Sequence, residues 1–311
     1  MPAISDEQLE LPPIALAQTT EAEYCRAALS CRRNEFWWYF NGLAPYPRFS
    51  KPLHDGDGRW WYRVKPGFAW PVDFFSPFQK APKGLSTRPL LGWQWPVPPQ
   101  RANASVCMNV IRDLSNYGMP AVAENKRRAI RKGLRELEVF TLDPGDGRIC
   151  DEACEVWNSH VTRTGWNRCM TAGRFSESWK ELGKWPGTTV VAVRPKAGDP
   201  RMCAWLIVRV IDGTVYVDTL ASHTDRLESR PNDTIVFSCL YAAQAQGILR
   251  AHYSLKSDIS SLEAFKQSLG LEAYAFPARL RLRRPVGIAL RLLRPGIYRR
   301  LRGDATAPCE K

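Results

Sequence analysis

The run Met202-Cys-Ala-Trp-Leu-Ile-Val-Arg-Val-Ile-Asp-Gly-Thr-Val-Tyr-Val-Asp-Thr-Leu220 decides the fold. It holds two stretches rich in β-branched and aromatic residues, 202–211 and 214–220, divided by Asp212-Gly213. Asp-Gly between two such runs is the strongest short-range hairpin signal, because both turn positions need positive φ. In the second strand Val215, Val217 and Thr219 share one face, and Thr214, Tyr216, Asp218 and Leu220 share the other. Working outward, 188–193 reads as a short strand. A loop over 222–232 contains Pro231, and a helix over 233–246 follows, with Val236, Leu240 and Ala243 in register and Gly247 placed to end it. Residues 249–255 form a strand. Ser260-Ser-Leu-Glu263 has capping-box spacing and opens a helix that turns Leu262, Phe265 and Leu269 inward, with Gly270 at its end. Residues 271–276 return as a strand. The order β-β-α-β-α-β predicts an α+β fold, a mixed sheet flanked by helices.

Upstream, 124–138 reads as a helix with Ile130, Leu134 and Leu137 on one face and Arg127, Arg131 and Arg135 along another. A second helical stretch covers 151–166 and ends near Gly165. Residues 1–20 read as a loose lead-in. From 21 to 115 the chain is rich in aromatics and proline, with seven of its twelve Trp before residue 100. Arg59-Trp-Trp-Tyr-Arg-Val-Lys65 reads as a half-buried strand after the turn Asp55-Gly-Asp-Gly58. Trp95-Pro-Val-Pro-Pro99 is expected in a connection or an edge, because proline cannot donate to a ladder. The aromatic cluster is expected mainly as core, with lining of a cleft as the other reading.

Composition narrows the class. A chain of 311 residues with 44% hydrophobic content can bury a sizeable core, which excludes a disordered chain. The net charge is +13, and residues 277–311 carry ten Lys and Arg against two acids. Such a basic end suits an anionic partner, nucleic acid or lipid headgroups, as well as a merely solvated surface. The nine Cys include no CxxC pair and no His at zinc-ligand spacing, so they read as reduced thiols and no metal is expected. The first twenty residues have acids where a signal peptide needs positive charge, and Arg291 interrupts the apolar run 286–293. The expected location is therefore cytoplasmic, with peripheral contact at the inner membrane surface as an extension.

The closing segment Ser261-Leu-Glu-Ala-Phe-Lys-Gln-Ser-Leu-Gly270 carries a family likeness. Residues 188–276 resemble the core of the GNAT acyltransferase superfamily, and the Phe265-Lys266 pair is similar to the closing helix of FemAB-like members. Asn125-Lys-Arg-Arg-Ala-Ile-Arg-Lys132 resembles the basic helix that FemAB-like chains carry ahead of their second GNAT subdomain. The resemblance implies two tandem GNAT-like subdomains: 21–115 as a degenerate first one and 116–277 as the acyltransferase, followed by a basic tail over 278–311. In place of the glycine-containing pyrophosphate loop of most GNAT enzymes stands Ser229-Arg-Pro-Asn-Asp-Thr234, a departure that FemAB-like chains share.

In a GNAT-like sheet the strands before and after the central helix part, and main-chain N–H groups in the gap can meet an oxyanion. Candidate catalytic residues near that gap are Asp218 as base, partly desolvated between Tyr216 and Leu220, with His223 and Tyr253. His252 and Tyr253 point to opposite faces, so at most one lines the site. The helix opening at Asn232, Asp233 and Thr234, with Arg230 beside it, is the candidate phosphate site. Lys256 and Ser257 follow the next strand, and the resemblance gives Lys266 a contact to the donor, the other reading being a solvated helix lysine. The implied function is N-acyl transfer from an acyl-CoA or carrier thioester to an amine. The alternatives are aminoacyl transfer from charged tRNA, or a non-catalytic GNAT-like module on nucleic acid or an anionic membrane. The tail is expected as two short basic segments packed back on the domain, broken by Pro285 and Pro295.

Overall fold

The structure is a computed structural model and describes residues 14–30, 52–65, 67–84, 91–183 and 185–303. Residues 1–13 of the lead-in, Cys31, Cys309 and the last part of the tail lie outside the described residues. The quoted run forms the hairpin expected of it: β9 (Ala204–Ile211) and β10 (Thr214–Ser222) pair antiparallel around Asp212 and Gly213, which take φ of 44° and 68°.

Around the hairpin a single sheet of twelve strands is built. On one side lie β8 (Thr188–Pro195) and β7 (Leu137–Leu142), both antiparallel, while the short β1 (Gln18–Thr19) runs parallel to β9. On the other side β11 (Arg250–Leu255) runs parallel to β10 and antiparallel to β6 (Ala104–Ile111). Next comes β12 (Glu272–Leu282), which pairs with β6 through Ala278 and with β5 (Gly92–Pro96) from Ala278 to Leu282. Beyond β5 stand β4 (Phe68–Pro71), β3 (Trp60–Lys65) and β2 (Leu53–His54). The strand β6, expected in the first subdomain, thus lies between two strands of the second, and β12 joins both halves into one continuous sheet.

Helices cover both faces. On one, α2 (Glu124–Glu136) and α5 (Pro231–Ala245) pack over Leu206, Val208, Val215 and Val217. On the other, α1 (Glu21–Ser30), α3 (Gly147–Thr164) and α4 (Ala172–Leu182) bury a stack of Trp157, Phe175, Trp179 and Trp205. The α3 start is capped by Asp146, whose carboxylate accepts the Arg148 N–H at 2.9 Å, and its end by Gly165 in the left-handed region. After α5 come α6 (Ser260–Ser268), then α7 (Arg284–Leu293) and α8 (Pro295–Arg302). In the aromatic-rich half, Trp61, Phe78, Trp93 and Trp95 form a separate small core of tilted and stacked rings.

Several expectations are corrected. The lead-in is tied down from Ile14, because Ile14 and Leu16 are buried and β1 pairs with β9. Leu137 starts a strand instead of ending a helix, and α4 was not legible as a helix. Pro96 ends β5 within the sheet, yet it has β12 as its one strand neighbour because β4 stops pairing at Trp93, and its carbonyl accepts the Phe78 N–H at 2.8 Å. The last strand continues past Phe276 to Leu282, taking 278–282 out of the tail. The capping box is not made: Ile259 is the N-cap, without a side-chain cap, and Glu263 turns elsewhere. The two tail segments do form, as α7 and α8, with Leu301 packed against the core around Val106 and Phe276 and its carbonyl accepting the Gln94 amide at 3.1 Å. No helix among the described residues is long and apolar enough to cross a membrane.

Glu21, at the start of α1, carries a testable electrostatic signature. Its carboxylate accepts the Trp60 N–H at 3.0 Å. Burial, with Asp73 and Asp212 nearby, pushes its pKa up to about 7. A raised carboxyl contributes stability that is fully present below its unfolded value and is lost as pH rises through about 7. Glu21→Gln keeps the acceptor without the charge. Thermal unfolding should therefore show the variant more stable than the parent at pH 8 and equal to it at pH 4; an equal shift at both values would refute the assignment.

Candidate active site

The hairpin strand β10 and the strand β11 are in register for only three pairs, Thr214 with Arg250, Val215 with Ala251 and Tyr216 with His252. Beyond Tyr216 they part. Each strand is irregular where the parting begins: β10 shifts register against β9 between Val217 and Thr219, so Asp218 is the extra residue of a bulge. In the same way β11 shifts against β6 between His252 and Leu255, with Ser254 at φ 64°. Bulges on both sides of one gap bend the strands away from each other and re-aim the side chains there. The α5 helix packs on one face of the sheet against β8, β9 and β10, the face to which β11 turns Tyr253.

On that face a buried polar cluster closes one wall. Lys266, on α6, is 1% exposed, so the alternative of a solvated helix lysine is overturned. Its ammonium donates to Glu263 Oε1 at 2.9 Å, to Ser254 Oγ at 2.9 Å and to the Leu255 carbonyl at 3.4 Å. The same Glu263 oxygen accepts the Ser257 N–H at 2.9 Å and the Asn109 amide at 3.2 Å. Burial works against the Glu263 charge, but the hydrogen bonds from Lys266 and Ser257 hold its carboxyl below the ordinary value. Ser254 is an exposed residue, and its hydroxyl accepts from the buried Lys266 ammonium, which polarises it, and donates to the Leu255 carbonyl at 3.1 Å. Tyr253 packs into the core with its ring 5.7 Å from Lys266 Nζ, and burial pushes its hydroxyl well above the ordinary tyrosine value.

The opposite face carries a second set. Asp218 pairs with Arg209, itself 4% exposed, so the expected desolvated carboxyl in search of a proton is corrected: a buried guanidinium compensates its charge. His252 stacks edge-on against Tyr216 with ring centroids 5.5 Å apart. Burial, aided by Lys266, pushes its imidazole down to about 4, which makes it neutral at pH 7.

The remaining candidates lie apart from both sets. His223 follows β10 and lines a shallow polar pocket with Glu152, Arg201 and Arg226, its Nδ1 4.0 Å from Asp225. Lys256 is exposed, and its N–H donates to the Cys107 carbonyl at 3.0 Å. At the α5 start, Arg230 is exposed in the left-handed region and its carbonyl accepts the Thr234 hydroxyl at 2.9 Å. Asn232 is half-buried and Thr234 fully buried. Asp233 is buried and paired with Lys126 of α2 at 2.6 Å, the lysine also lying 5.1 Å from the Phe265 ring. A Cβ on Gly133 would stand 1.8 Å from Thr234 Oγ1, so α2 reaches this helix end only because residue 133 is glycine. The end of α5 therefore already holds a carboxylate at its positive dipole and a helix across it.

No family model matches the chain, and no curated protein matches it. Among solved structures, L-PGS from Bacillus licheniformis is similar at a TM-score of 0.55 and 11% identity, over 92% of this chain and 98% of that one. The C-terminal domain of a putative lysylphosphatidylglycerol synthetase from Agrobacterium fabrum is similar at 0.53 and 13%, over 83% and 91%. FemX matches 60% of this chain at 0.48 and 11%, and the chain spans 63% of the FemX length. The chain shares its fold with the first two of these structures. Lys266, Ser257 and the Tyr253 ring lie together at the end of β11, beyond its last pair with β10. Sequence reasoning missed Asn109, Ser254 and Glu263 as members of that wall. The Glu263–Lys266 spacing of three was a usable signal, since it places both on one helix face.

Proposed function

We propose that the chain is an aminoacyltransferase that moves an aminoacyl group from the 3′-ester of a charged tRNA to a nucleophilic amine or hydroxyl in the gap between β10 and β11. The observation that carries the donor choice is the start of α5. A CoA diphosphate seated there would meet the buried Asp233 carboxylate and displace its Lys126 partner, an arrangement that opposes an anion. A tRNA end needs no such pocket. Exposed Arg128 and Arg135 on α2, on a chain of net charge +13, favour its backbone phosphates. The likeness to lysylphosphatidylglycerol synthetase domains, whose name joins an amino acid to a hydroxyl-bearing lipid, is in keeping with ester chemistry.

In the proposed step the acceptor attacks the ester carbonyl, a bond to carbon forms and the ester C–O bond breaks. The acceptor's proton passes to the leaving ribose oxygen. Main-chain N–H groups at the parted strands stabilise the oxyanion, the Ser254 hydroxyl turns from the Leu255 carbonyl to donate to it, and Lys266 acts as the positioning residue that polarises Ser254. The experiment is a binding competition on the full chain between an aminoacylated tRNA acceptor-stem minihelix and acetyl-CoA, followed by single-turnover transfer to added hydroxylamine. Tighter binding of the charged minihelix and formation of the hydroxamate faster than in the enzyme-free control support the reading. Preferred binding of acetyl-CoA would return the donor to a thioester, and failure of both ligands to bind would end the transferase reading.

A further inference from the structure

Four of the exposed large apolar residues among the described residues, Ile288, Leu292, Leu293 and Ile297, lie on the helix pair α7–α8. At 100° per residue, Pro285, Ile288, Ala289, Leu292 and Leu293 of α7 fill one continuous arc, while Val286 and Leu290 on the adjoining arc are half-buried against the domain. Ile288, Leu292 and Leu293 are 59%, 75% and 76% exposed, and Ile297 at the start of α8 is also exposed. Of the seven apolar residues of the α7 stripe the fold thus covers only two, and those in part. Along this segment the charge has one sign. Residues 279–302 carry nine Arg and no acid, and Arg284 and Arg291 edge the apolar arc itself. Isolated exposed leucines need no explanation, but a contiguous apolar face rimmed by cations does.

The two features together select the occupant. Nucleic acid would use the arginines and leave Ile288, Leu292 and Leu293 in water. A second protein surface would bury the leucines but would need its own acids to answer the arginines. An anionic lipid surface takes both at once, apolar side chains at the acyl boundary and guanidinium groups among the headgroup phosphates. We propose that α7 and α8 form an interfacial docking element that lays this FemAB-like domain on an anionic membrane, with Ile288, Leu292, Leu293 and Ile297 inserted. The position is consistent with such a role. An ion pair between Arg300 and Asp258 fastens α8 to the loop 256–259, which also exposes Leu255 and Ile259 at its ends and supplies Ser257 to the Lys266 cluster. Docking there brings the lipid surface beside the wall of the gap. The inference does not depend on the donor or the reaction.

The test is co-sedimentation of the full chain with vesicles of phosphatidylglycerol and phosphatidylcholine, and with vesicles of phosphatidylcholine alone, in the absence of any substrate. The chain is expected to pellet with the anionic vesicles at least about tenfold more strongly than with neutral ones, and to lose at least about tenfold in affinity in the variant Leu292→Ser/Leu293→Ser. These residues are solvent-exposed, so the variant should keep the parent's melting temperature. A variant that binds as the parent does, or a parent indifferent to vesicle charge, would overturn the proposal. So would a parent that is dimeric in solution and becomes monomeric in the variant, since the face would then belong to a second copy.

Discussion

Replacing Lys266 with Met is expected to lower turnover by at least about a hundredfold, the scale of losing one preorganised donor to a developing oxyanion. The same change should destabilise the fold by about 3–5 kcal/mol, because it strands the Glu263 carboxylate in a buried site. These effects have separable origins. In the double variant Glu263→Gln/Lys266→Met the uncompensated charge is gone, so most of the stability should return while turnover stays low. Denaturant unfolding and single-turnover transfer on the three variants check this. Recovery of activity together with stability would mean that the pair only holds α6 against β6 and β11, and Lys266 would lose its place in the proposed chemistry. Glu263 also receives the Ser257 N–H and the Asn109 amide, so Glu263→Gln alone should be milder than Lys266→Met: a neutral amide oxygen can accept the same bonds.

Arg209→Met should be nearly as costly, about 3 kcal/mol, because it leaves Asp218 partly buried at the bulge with no cation beside it. The position of the loss matters. Asp218 is the residue that β10 bulges to accommodate, and the bulge opens the gap. Relaxation of Asp218 toward solvent in the variant would flatten the bulge, so transfer should fall alongside stability. Asp218→Asn at unchanged Arg209 separates the two roles again. If Asp218 works as a base, its variant should flatten the pH dependence of transfer; if it only anchors the bulge, the profile should keep its shape at a lower amplitude. The pair with Arg209 favours the second outcome.

The hairpin, the helix after it and the order of the strands around it were legible because each signal is local. Asp212-Gly213 fixes a turn by φ alone, and Val236, Leu240 and Ala243 mark a helix by period. What the sequence hid is what depends on distant partners. Leu137 matched the periodicity of the helix before it, yet six ladder pairs with β8 claim it as a strand. Pro96 read as an edge residue, and it is one in effect, but only because β4 ends its pairing early. Lys266 read as able to reach sideways out of its helix. Its burial follows from Ser254 and Leu255 on β11, which no spacing along the chain reveals, and Glu263 was absorbed by a capping box that the fold never makes. Asp218 was singled out and lies at the β10 bulge, while Arg209, its partner, lay unremarked within an otherwise apolar strand. The basic tail was legible as charge and as two broken segments; that most of the α7 stripe stays uncovered required the structure.

The central claim is that the parted stretch of β10 and β11 receives the donor carbonyl. Amide hydrogen exchange of the full chain, with and without a minihelix carrying an amide-linked aminoacyl group that cannot be transferred, tests it most directly. Slowed exchange confined to residues 217–222 and 253–257 is the predicted result. Unchanged exchange there, with protection appearing around the His223 pocket or the tail, would contradict it.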